Sequence, residues 1–252
     1  MDGPLLQRSE AWFSARIGKI NASELDKVLG FGYGRDEARQ KLFRCLREHI
    51  GPEPFSNEAT RWGQDHESDA LTMYSMHSSF SNNLRVQEHG GRTHEEHSWL
   101  RASPDGLLYE GDTLVGVLEI KAPYRLREKD PPMEDSDILT GYLLQMNLQM
   151  EVYDVDFCDF VQWTPHGITV RRILRNRALF QYVLPLYEEF YNVAVKTTNF
   201  YKRLDPSDVI MTEMRIVKLH ADTGAPKSER VLLKDIDTLT PSHSSNFQAP
   251  DE

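Results

Sequence analysis

The chain has 252 residues and an acidic composition, with 29 lysine and arginine residues, 39 aspartate and glutamate residues and a formal net charge of −10. Its length is sufficient for one sizeable hydrophobic core. The negative charge argues against a protein that coats nucleic acid non-specifically, because phosphate contacts come mainly from lysine and arginine. It does not exclude an enzyme whose carboxylates bind cations.

Two features of the sequence concern its compartment. Residues 1–16 lack the basic start and apolar core of a secretory signal, and no apolar run is long enough to cross a bilayer. Cys45 and Cys158 lie in predicted apolar elements, which is typical of a reducing environment. We therefore expect an intracellular protein without membrane contact, in the cytoplasm, the nucleus or an organelle.

The first predicted elements are two short helices. Ser9 is a typical N-cap of a helix that runs to Arg16, and Ser23 is a candidate N-cap of a second helix over residues 24–29. A helix N-terminus with a hydroxyl and a nearby arginine is suited to bind an anion, although most such residues are plain caps and solvated charges. Trp12, taken alone, is expected to pack in the core.

Apolar residues at helical spacing predict packing helices over residues 36–50 and 57–77. Glu67 lies in the second of these helices, and on its own it is expected to face solvent, as most glutamates do.

Strands are predicted over residues 85–88 and 98–102. The segment between them carries His89, His94 and His97. Zinc needs ligands fixed in three dimensions, and a histidine-rich loop without cysteine is a weak indication of such a site. A solvated loop is the preferred interpretation.

The most informative stretch is residues 103–121, with the sequence SPDGLLYEGDTLVGVLEIK. Two apolar runs separated by the turn at residues 110–112 predict a pair of strands. Side chains alternate along a strand, so Glu119 and Lys121 share one face of the second strand. Both faces of that strand also carry aliphatic residues, which predicts that it is buried.

A carboxylate and an ammonium on a buried strand each cost on the order of several kcal/mol unless they are paired or bind a metal. The simplest explanation is an ion pair between Glu119 and Lys121. That explanation ignores Asp105, which the preceding turn would bring beside the same strand end. Two carboxylates and a lysine at one strand edge suit a hard divalent cation with oxygen ligands and a cation beside an attacking water.

Pro123 ends this strand, and a surface loop follows. The loop begins with basic residues that are candidates for phosphate contacts: Arg125, Arg127 and Lys129. Residues 139–153 then predict a helix in which Gln145 and Gln149 share one face.

Two strands joined by a hairpin turn are predicted over residues 157–163 and 168–174, followed by a long helix over residues 176–203. The densest basic cluster lies here and comprises Arg171, Arg172, Arg175 and Arg177. It predicts either a track for phosphates or a set of partners for acidic neighbours.

Further strands are predicted over residues 209–219 and 231–233, and the composition of residues 240–252 is typical of a disordered segment.

The sequence resembles a known family of nucleases. Pro104 and Asp105, followed by the triplet of residues 119–121, resemble the PD-(D/E)xK nuclease signature. Over residues 9–200 the chain is similar to the branch of that superfamily that contains lambda exonuclease, alkaline exonucleases and YqaJ-type viral recombinases. The supporting segments are W-x3-R-x-G-x-I-x-A-S from Trp12 to Ser23, and G-x3-E from Gly63 to Glu67.

The resemblance implies an α/β fold with a restriction-endonuclease-like core, a mixed central sheet flanked by helices. It places an exonuclease domain at residues 1–204 and a partly disordered C-terminal extension at residues 205–252.

The resemblance also implies roles for individual residues. One or two Mg²⁺ or Mn²⁺ ions would be held by Asp105, Glu119, the Ile120 carbonyl and Glu67. Lys121 would orient the attacking water. The pocket for a DNA 5′-phosphate would comprise Arg16, Ser23, Ser103 and Gln145, with Gln149 as the alternative to Gln145 and with Trp12 stacking on a base.

The activity implied is Mg²⁺-dependent 5′ to 3′ degradation of one strand of linear duplex DNA, which leaves a 3′ single strand for recombination or repair. The expected partners are double-stranded DNA ends, a single-strand annealing protein and, because rings are frequent in this family, further copies of the chain. Two alternatives remain: a structure- or site-specific endonuclease on the same core, and a non-catalytic DNA-end binder with vestigial carboxylates. The intact trio of Asp105, Glu119 and Lys121 argues against the second alternative.

Overall fold

The computed structural model describes residues 7–31, 35–51, 56–132, 138–196, 211–212, 214–216, 218 and 227–236. The helices in these ranges are α1 (Glu10–Ser14), α2 (Leu25–Leu29), α3 (Arg35–Glu48), α4 (Glu58–Asp65), α5 (Glu67–His77), α6 (Thr140–Tyr153), α7 (Arg177–Lys196) and α8 (Leu233–Ile236). The strands are β1 (Ile20–Asn21), β2 (Leu84–Gln87), β3 (Arg92–Thr93), β4 (Leu100–Ala102), β5 (Gly106–Glu110), β6 (Thr113–Lys121), β7 (Phe157–Thr164), β8 (Gly167–Leu174) and β9 (Lys227–Leu232). Short 3₁₀ helices span Ala22–Glu24, Ser79–Ser81 and Tyr124–Leu126.

The central element of the described structure is a six-stranded sheet in the order β2-β5-β6-β7-β8-β9. Strands β6 and β7 run parallel, whereas the other neighbouring strands are antiparallel. The parallel pair requires a crossover connection, and α6 lies in that connection. A smaller sheet has the order β1-β4-β3, in which β1 and β4 are parallel.

Helices cover both faces of the six-stranded sheet. Val117 packs in a large cluster with residues of α2, α6 and α7. Leu118 and Ile120 pack in a second cluster with residues of α5. The alternation along β6 thus separates the two cores, as the aliphatic residues on both faces of the strand predict. The predicted α/β class, a mixed sheet flanked by helices, is confirmed.

The first two helices differ in their caps. Ser9 caps α1 as predicted, because its Oγ accepts a hydrogen bond from the Trp12 backbone N–H at 3.2 Å. Ser23 is not the N-cap that the sequence predicts, since it lies inside the short 3₁₀ helix ahead of α2. The Glu24 carboxylate instead closes this turn by accepting hydrogen bonds from the Asn21 backbone N–H at 3.0 Å and side-chain amide at 2.8 Å.

The single helix predicted over residues 57–77 is divided in two at His66, whose backbone leaves the helical region with φ −106° and ψ 6°. The His66 ring stacks on Trp163, with 4.6 Å between centroids and 16° between the planes. Because the chain breaks there, Glu67 becomes the first residue of α5.

The chain beyond residue 205 contributes to the sheet. Strand β9 pairs with β8 along its full length, and Glu229 in β9 accepts a hydrogen bond from the Ser79 backbone N–H at 2.9 Å. The strand predicted over residues 209–219 is wrong for the residues that can be described there, which are helical. Residues 240–252 lie outside the described ranges. Within the described chain, no helix is long and apolar enough to span a membrane.

Three of the four arginines of the predicted cluster pair with acidic neighbours, which agrees with the second of the two predicted roles. Asp159 is fully buried and receives two hydrogen bonds at 2.8 Å from the Arg172 guanidinium and one at 2.7 Å from the Tyr74 hydroxyl. Arg175 is paired with Glu151 and Asp154. The guanidinium of Arg171 is buried and donates to the Pro132 carbonyl at 2.8 Å, while Arg177 lies 3.7 Å from Asp154.

We expect Arg172→Ala to lower the free energy of unfolding by about 3–5 kcal/mol, because it leaves the Asp159 carboxylate buried without its counter-charge. The matched control is Arg177→Ala, which removes an arginine whose side chain is 61% exposed and should change stability by less than about 0.5 kcal/mol. Urea unfolding of both variants measures the difference. Equal stability of the two variants would show that Arg172 has no structural role.

Candidate active site

Asp105 is fixed beside the C-terminal part of β6. Its backbone N–H donates to the Leu118 carbonyl at 3.0 Å, and its Oδ2 accepts from the Ile120 backbone N–H at 2.7 Å. The next residue, Gly106, begins β5, and a Cβ atom there would lie 2.6 Å from the Val86 side chain. Only glycine fits this close approach, so the turn that carries Asp105 is tied to the sheet on both sides.

Glu119 is 1% exposed and lies at the centre of a group of donors. Lys121, two residues further along the same face of β6, donates to Oε1. Gln145 also donates to Oε1, at 2.6 Å, and Gln149 donates to Oε2 at 2.6 Å. The two glutamines are four residues apart on α6 and therefore reach the same carboxylate. The sequence left a choice between them, and the structure brings both to Glu119.

The electrostatics of this group follow from burial and from the proximity of two carboxylates. Burial, followed by the negative charge of Glu119, raises the pKa of Asp105 well above its usual value. Burial alone would lower the pKa of the Lys121 ammonium, but Glu119 and Asp105 outweigh it and raise that pKa above its ordinary value. Lys121 is therefore charged at neutral pH.

A cavity of about 610 Å³ opens beside this strand end. Its wall includes Asp105, Ile120 and Lys121, together with Glu67 and Arg8. Glu67 accepts a hydrogen bond from the Arg8 guanidinium. Three members of the group predicted to bind metal therefore line one cavity, namely Asp105, Ile120 and Glu67, and Glu67 is paired with an arginine. The fourth member, Glu119, is joined to that wall through its contact with Lys121.

The donor set fits a divalent cation. Buried Glu119 and half-buried Asp105 repel each other, and the single ammonium of Lys121 leaves negative charge that a hard cation would neutralise. Among the described residues, no group of three or more histidine, cysteine, aspartate or glutamate side chains is close enough to hold a metal. Asp105, Glu119 and the Ile120 carbonyl are the candidate ligands, and Glu67 would have to leave Arg8 to join them.

A second group of predicted residues lies next to Asp105. The Trp12 indole N–H donates to the Ser103 Oγ at 3.0 Å, and the Arg16 guanidinium lies 4.3 Å from the centre of the Trp12 ring. This links Arg16, Trp12 and Ser103 in one contact chain. The face of Trp12 that Arg16 covers is not open to a base.

Ser23 approaches this group from the smaller sheet. In the parallel pair of β1 and β4, Asn21 is opposite Arg101. Ser23 and Ser103 each follow by two residues, so both lie past the same end of the paired strands. Ser23 is exposed there.

The histidine-rich segment is built into the structure and is not the solvated loop that the sequence predicts. The His94 Nδ1 accepts the backbone N–H groups of Glu96 and His97 at 3.1 and 3.2 Å, and its ring stacks on Phe180. The His89 Nδ1 accepts from the Gly91 backbone N–H at 3.1 Å and lies 2.8 Å from the Tyr153 hydroxyl. These ring nitrogens shape a turn through their hydrogen bonds.

Sequence reasoning missed Gln7 and Arg8. The Gln7 amide donates to the Pro104 carbonyl at 2.8 Å, and Arg8 reaches Glu67 across 59 residues of sequence. No local pattern connects such distant residues. The segment ahead of α1 is nevertheless part of the site.

The chain is similar to known proteins over the region that contains these residues. The sequence profile of the YqaJ-like viral recombinase domain matches residues 11–156. An uncharacterized protein of Acanthamoeba polyphaga mimivirus is 30% identical over 165 residues, which are 62% of this chain and only 29% of that protein.

Solved structures share the fold. An alkaline exonuclease from Laribacter hongkongensis matches with a TM-score of 0.59 and 24% identity over 84% of this chain and 100% of that chain. The same exonuclease in complex with dAMP matches with a TM-score of 0.60, also at 24% identity and over the same shares of the two chains. The fold is therefore restriction-endonuclease-like, as the sequence predicts.

We expect Asp105→Asn to stabilise the metal-free protein, because it removes the half-buried member of two repelling carboxylates and keeps an oxygen to accept the Ile120 N–H. A rise in the free energy of unfolding on the order of 1 kcal/mol is the usual scale for relief of a buried charge. The raised pKa means that the folded state binds this proton more tightly than the unfolded chain. Stability of the parent therefore falls as the pH rises through that pKa, and the gain from the variant is largest above it.

The measurement is urea unfolding in the presence of a chelator at several pH values. Asp112→Asn, which changes an exposed carboxyl in the turn between β5 and β6, is the matched control. A loss of stability in Asp105→Asn at high pH would contradict the repulsion.

Proposed function

Because the chain belongs to the family of YqaJ-like viral recombinase domains, we propose that it is a metal-dependent deoxyribonuclease that degrades one strand of linear duplex DNA from its 5′ end. The observation that carries the proposal is the meeting of Asp105, Glu119 and Lys121 at one end of β6, beside a cavity. Neither the packing of the sheet nor the cores on its two faces requires that trio.

The carboxylates are the proposed ligands of one or two Mg²⁺ or Mn²⁺ ions. Asp105, Glu119 and the Ile120 carbonyl would form the core of the metal site, and Glu67 would complete it. A cation bound there supplies Lewis acidity, which polarises a phosphodiester and lowers the pKa of a bound water.

The remaining residues of the site orient the Glu119 carboxylate and supply positive charge. Gln145 and Gln149 hold both oxygens of Glu119 in place, so its orientation does not depend on a bound ligand. Lys121 carries a positive charge beside Glu119, where it can orient the attacking water and stabilise the charge that develops on the phosphate.

The proposed 5′-phosphate pocket comprises Arg16, Ser23 and Ser103, with Gln145 on its metal side. The contact chain from Arg16 through Trp12 to Ser103 supports this proposal, because the Ser103 hydroxyl lies two residues before Asp105 and accepts from the Trp12 indole that the Arg16 guanidinium covers. The structurally similar exonuclease from Laribacter hongkongensis has been crystallised with dAMP, and a nucleoside monophosphate is the kind of product that the proposed site would release.

The proposal extends to partners and place of action. DNA ends would be the substrate, and the 3′ single strand would pass to recombination or repair with the help of a single-strand annealing protein. We also propose that the protein acts inside the cell and that several copies assemble around DNA.

We expect Lys121→Ala to reduce cleavage at least about 10²- to 10³-fold, the usual cost of removing a group that stabilises transition-state charge. The measurement is a Mg²⁺-dependent time course on 5′-phosphorylated linear duplex with a separate label at each end and a closed circle beside it. Lys121→Met preserves the packing of the lysine stem, and circular dichroism verifies its fold. Lys129→Ala, an exposed lysine in the following loop, is the control.

Cleavage by Lys121→Met at the parent rate would overturn the role of this lysine. Cutting of the circle by the parent protein would replace the exonuclease with an endonuclease on the same core. DNA binding without any cleavage would leave an end-binding protein.

We expect Arg16→Ala to reduce the preference for a 5′-phosphorylated over an unphosphorylated end by about tenfold, since a charge-assisted hydrogen bond to phosphate contributes about 1.5–3 kcal/mol. Arg16→Lys keeps the charge but lacks the planar guanidinium, so its preference for a 5′-phosphorylated end should lie between those of the parent and Arg16→Ala. The ratio of initial rates on the two substrates is the readout. An unchanged ratio in Arg16→Ala, with a normal fold, would remove this residue from the pocket.

A further inference from the structure

The segment ahead of α1 lies against the wall of the cavity. Gln7 anchors it at the Pro104 carbonyl, one residue before Asp105, and Arg8 anchors it at Glu67, the first residue of α5. The backbone of Arg8 has a φ of 64°, in the left-handed region that most residues avoid. The guanidinium is thereby directed to the cavity that Asp105 and Lys121 also line.

The pair of Arg8 and Glu67 differs from the locked ion pairs elsewhere in the molecule. The side chains of Arg8 and Glu67 are 48% and 29% exposed, whereas the Arg175 side chain, paired with Glu151, is 5% exposed. An ion pair in contact with water adds little to stability, because solvent compensates each charge when the pair separates. Arg8 and Glu67 can therefore exchange partners at small cost.

The charges around the cavity allow such an exchange. Its wall carries the carboxyl groups of Asp105 and Glu67 and the cationic side chains of Arg8, Lys121 and Arg125. The Glu119 carboxylate accepts from Lys121 and adds a further negative charge next to that wall. Besides burial and Glu119, the charge of Glu67 contributes to the raised pKa of Asp105, so Glu67 acts on the same group of carboxylates. A divalent cation bound at Asp105 would compete with Arg8 for Glu67 through the same attraction.

An arginine in this cavity that is no longer paired with a carboxylate can bind a phosphate instead. The guanidinium is planar and binds a phosphate with two parallel hydrogen bonds. The hydrogen bond from Gln7 to the Pro104 carbonyl keeps the neighbouring backbone next to Asp105, so Arg8 would remain at the cavity wall after Glu67 leaves.

We propose that Arg8 binds a phosphate of the DNA strand in the cavity. Glu67 pairs with Arg8 until a divalent cation binds the Glu67 carboxylate and releases the arginine. The inference rests on the proposed nuclease function and deepens it. It makes metal binding and DNA binding cooperative, and by linkage each strengthens the other by the same factor.

The first test measures metal binding alone, with Mn²⁺ as the probe and isothermal titration calorimetry on the full chain without DNA. Arg8→Ala removes the competitor for Glu67, so Mn²⁺ should bind about two- to fivefold more tightly, the range that corresponds to an exposed ion pair. The double variant Arg8→Ala with Glu67→Gln should lose this gain.

The second test measures DNA binding by fluorescence anisotropy of a 5′-phosphorylated duplex, in Ca²⁺ and in a chelator, with the intact length of the duplex verified afterwards. In Ca²⁺, Arg8→Ala should bind the duplex about tenfold more weakly than the parent, because a guanidinium–phosphate contact is lost. In the chelator, where Glu67 competes with the phosphate for Arg8 in the parent, the loss of affinity in Arg8→Ala should be about two- to fivefold smaller than in Ca²⁺. A merely structural role for Arg8 would weaken both metal and DNA binding and cannot give opposite signs.

The matched control is Arg61→Ala, which removes an exposed arginine of α4 that is not part of the cavity wall. It changes the net charge as Arg8→Ala does but does not remove the partner of Glu67, so the affinity for Mn²⁺ should stay close to that of the parent. Equal tightening in both variants would overturn the proposal in favour of a general field effect.

Two further results would also overturn it: an unchanged Mn²⁺ affinity in Arg8→Ala, and an equal loss of DNA affinity with and without Ca²⁺. Failure of the proposed function is a separate result, because the parent itself would then neither bind Mn²⁺ nor cut DNA.

Discussion

The burial of the Glu119 carboxylate is the constraint on which the rest of the site depends. A charge with 1% exposure in the middle of a sheet is tolerated only if its oxygens are fully compensated. Lys121 provides the counter-charge from the same strand face, and α6 provides two amide donors. The crossover helix between the parallel strands β6 and β7 therefore does more than cover the sheet, because it also sets the orientation of this carboxylate.

The same constraint explains why Asp105 is placed as it is. Its Oδ2 is held by the Ile120 backbone, and its charge lies close to that of Glu119 at the wall of the cavity. One ammonium does not neutralise two carboxylates. The two carboxylates therefore repel each other at this strand end, and the proposed divalent cation would relieve that repulsion.

Short-range sequence patterns were enough to predict which residues meet at the centre of the site. The contacts between residues that are distant in sequence could not be predicted in this way. Alternation along β6 placed Glu119 and Lys121 together, the turn placed Asp105 beside them, and helical spacing placed Gln145 and Gln149 on one face. The break of the helix at His66 depends on stacking against Trp163, which is distant in sequence. Likewise, nothing near Arg172 in the sequence indicates that its guanidinium pairs with Asp159, which Tyr74 also contacts. From the sequence alone, a set of structural ion pairs could therefore not be distinguished from a phosphate track.

Burial divides the arginines of this acidic chain into two groups with different consequences. Arg172 and Arg175 are largely enclosed, and each is committed to carboxylates whose charge would otherwise be costly. Arg8 lies on the wall of the cavity, and the Glu67 carboxylate with which it pairs is also in contact with solvent. A net charge of −10 therefore says little about affinity for DNA. What matters is how many of its cations remain exchangeable, and among these three arginines Arg8 is exchangeable, whereas Arg172 and Arg175 are committed to carboxylates.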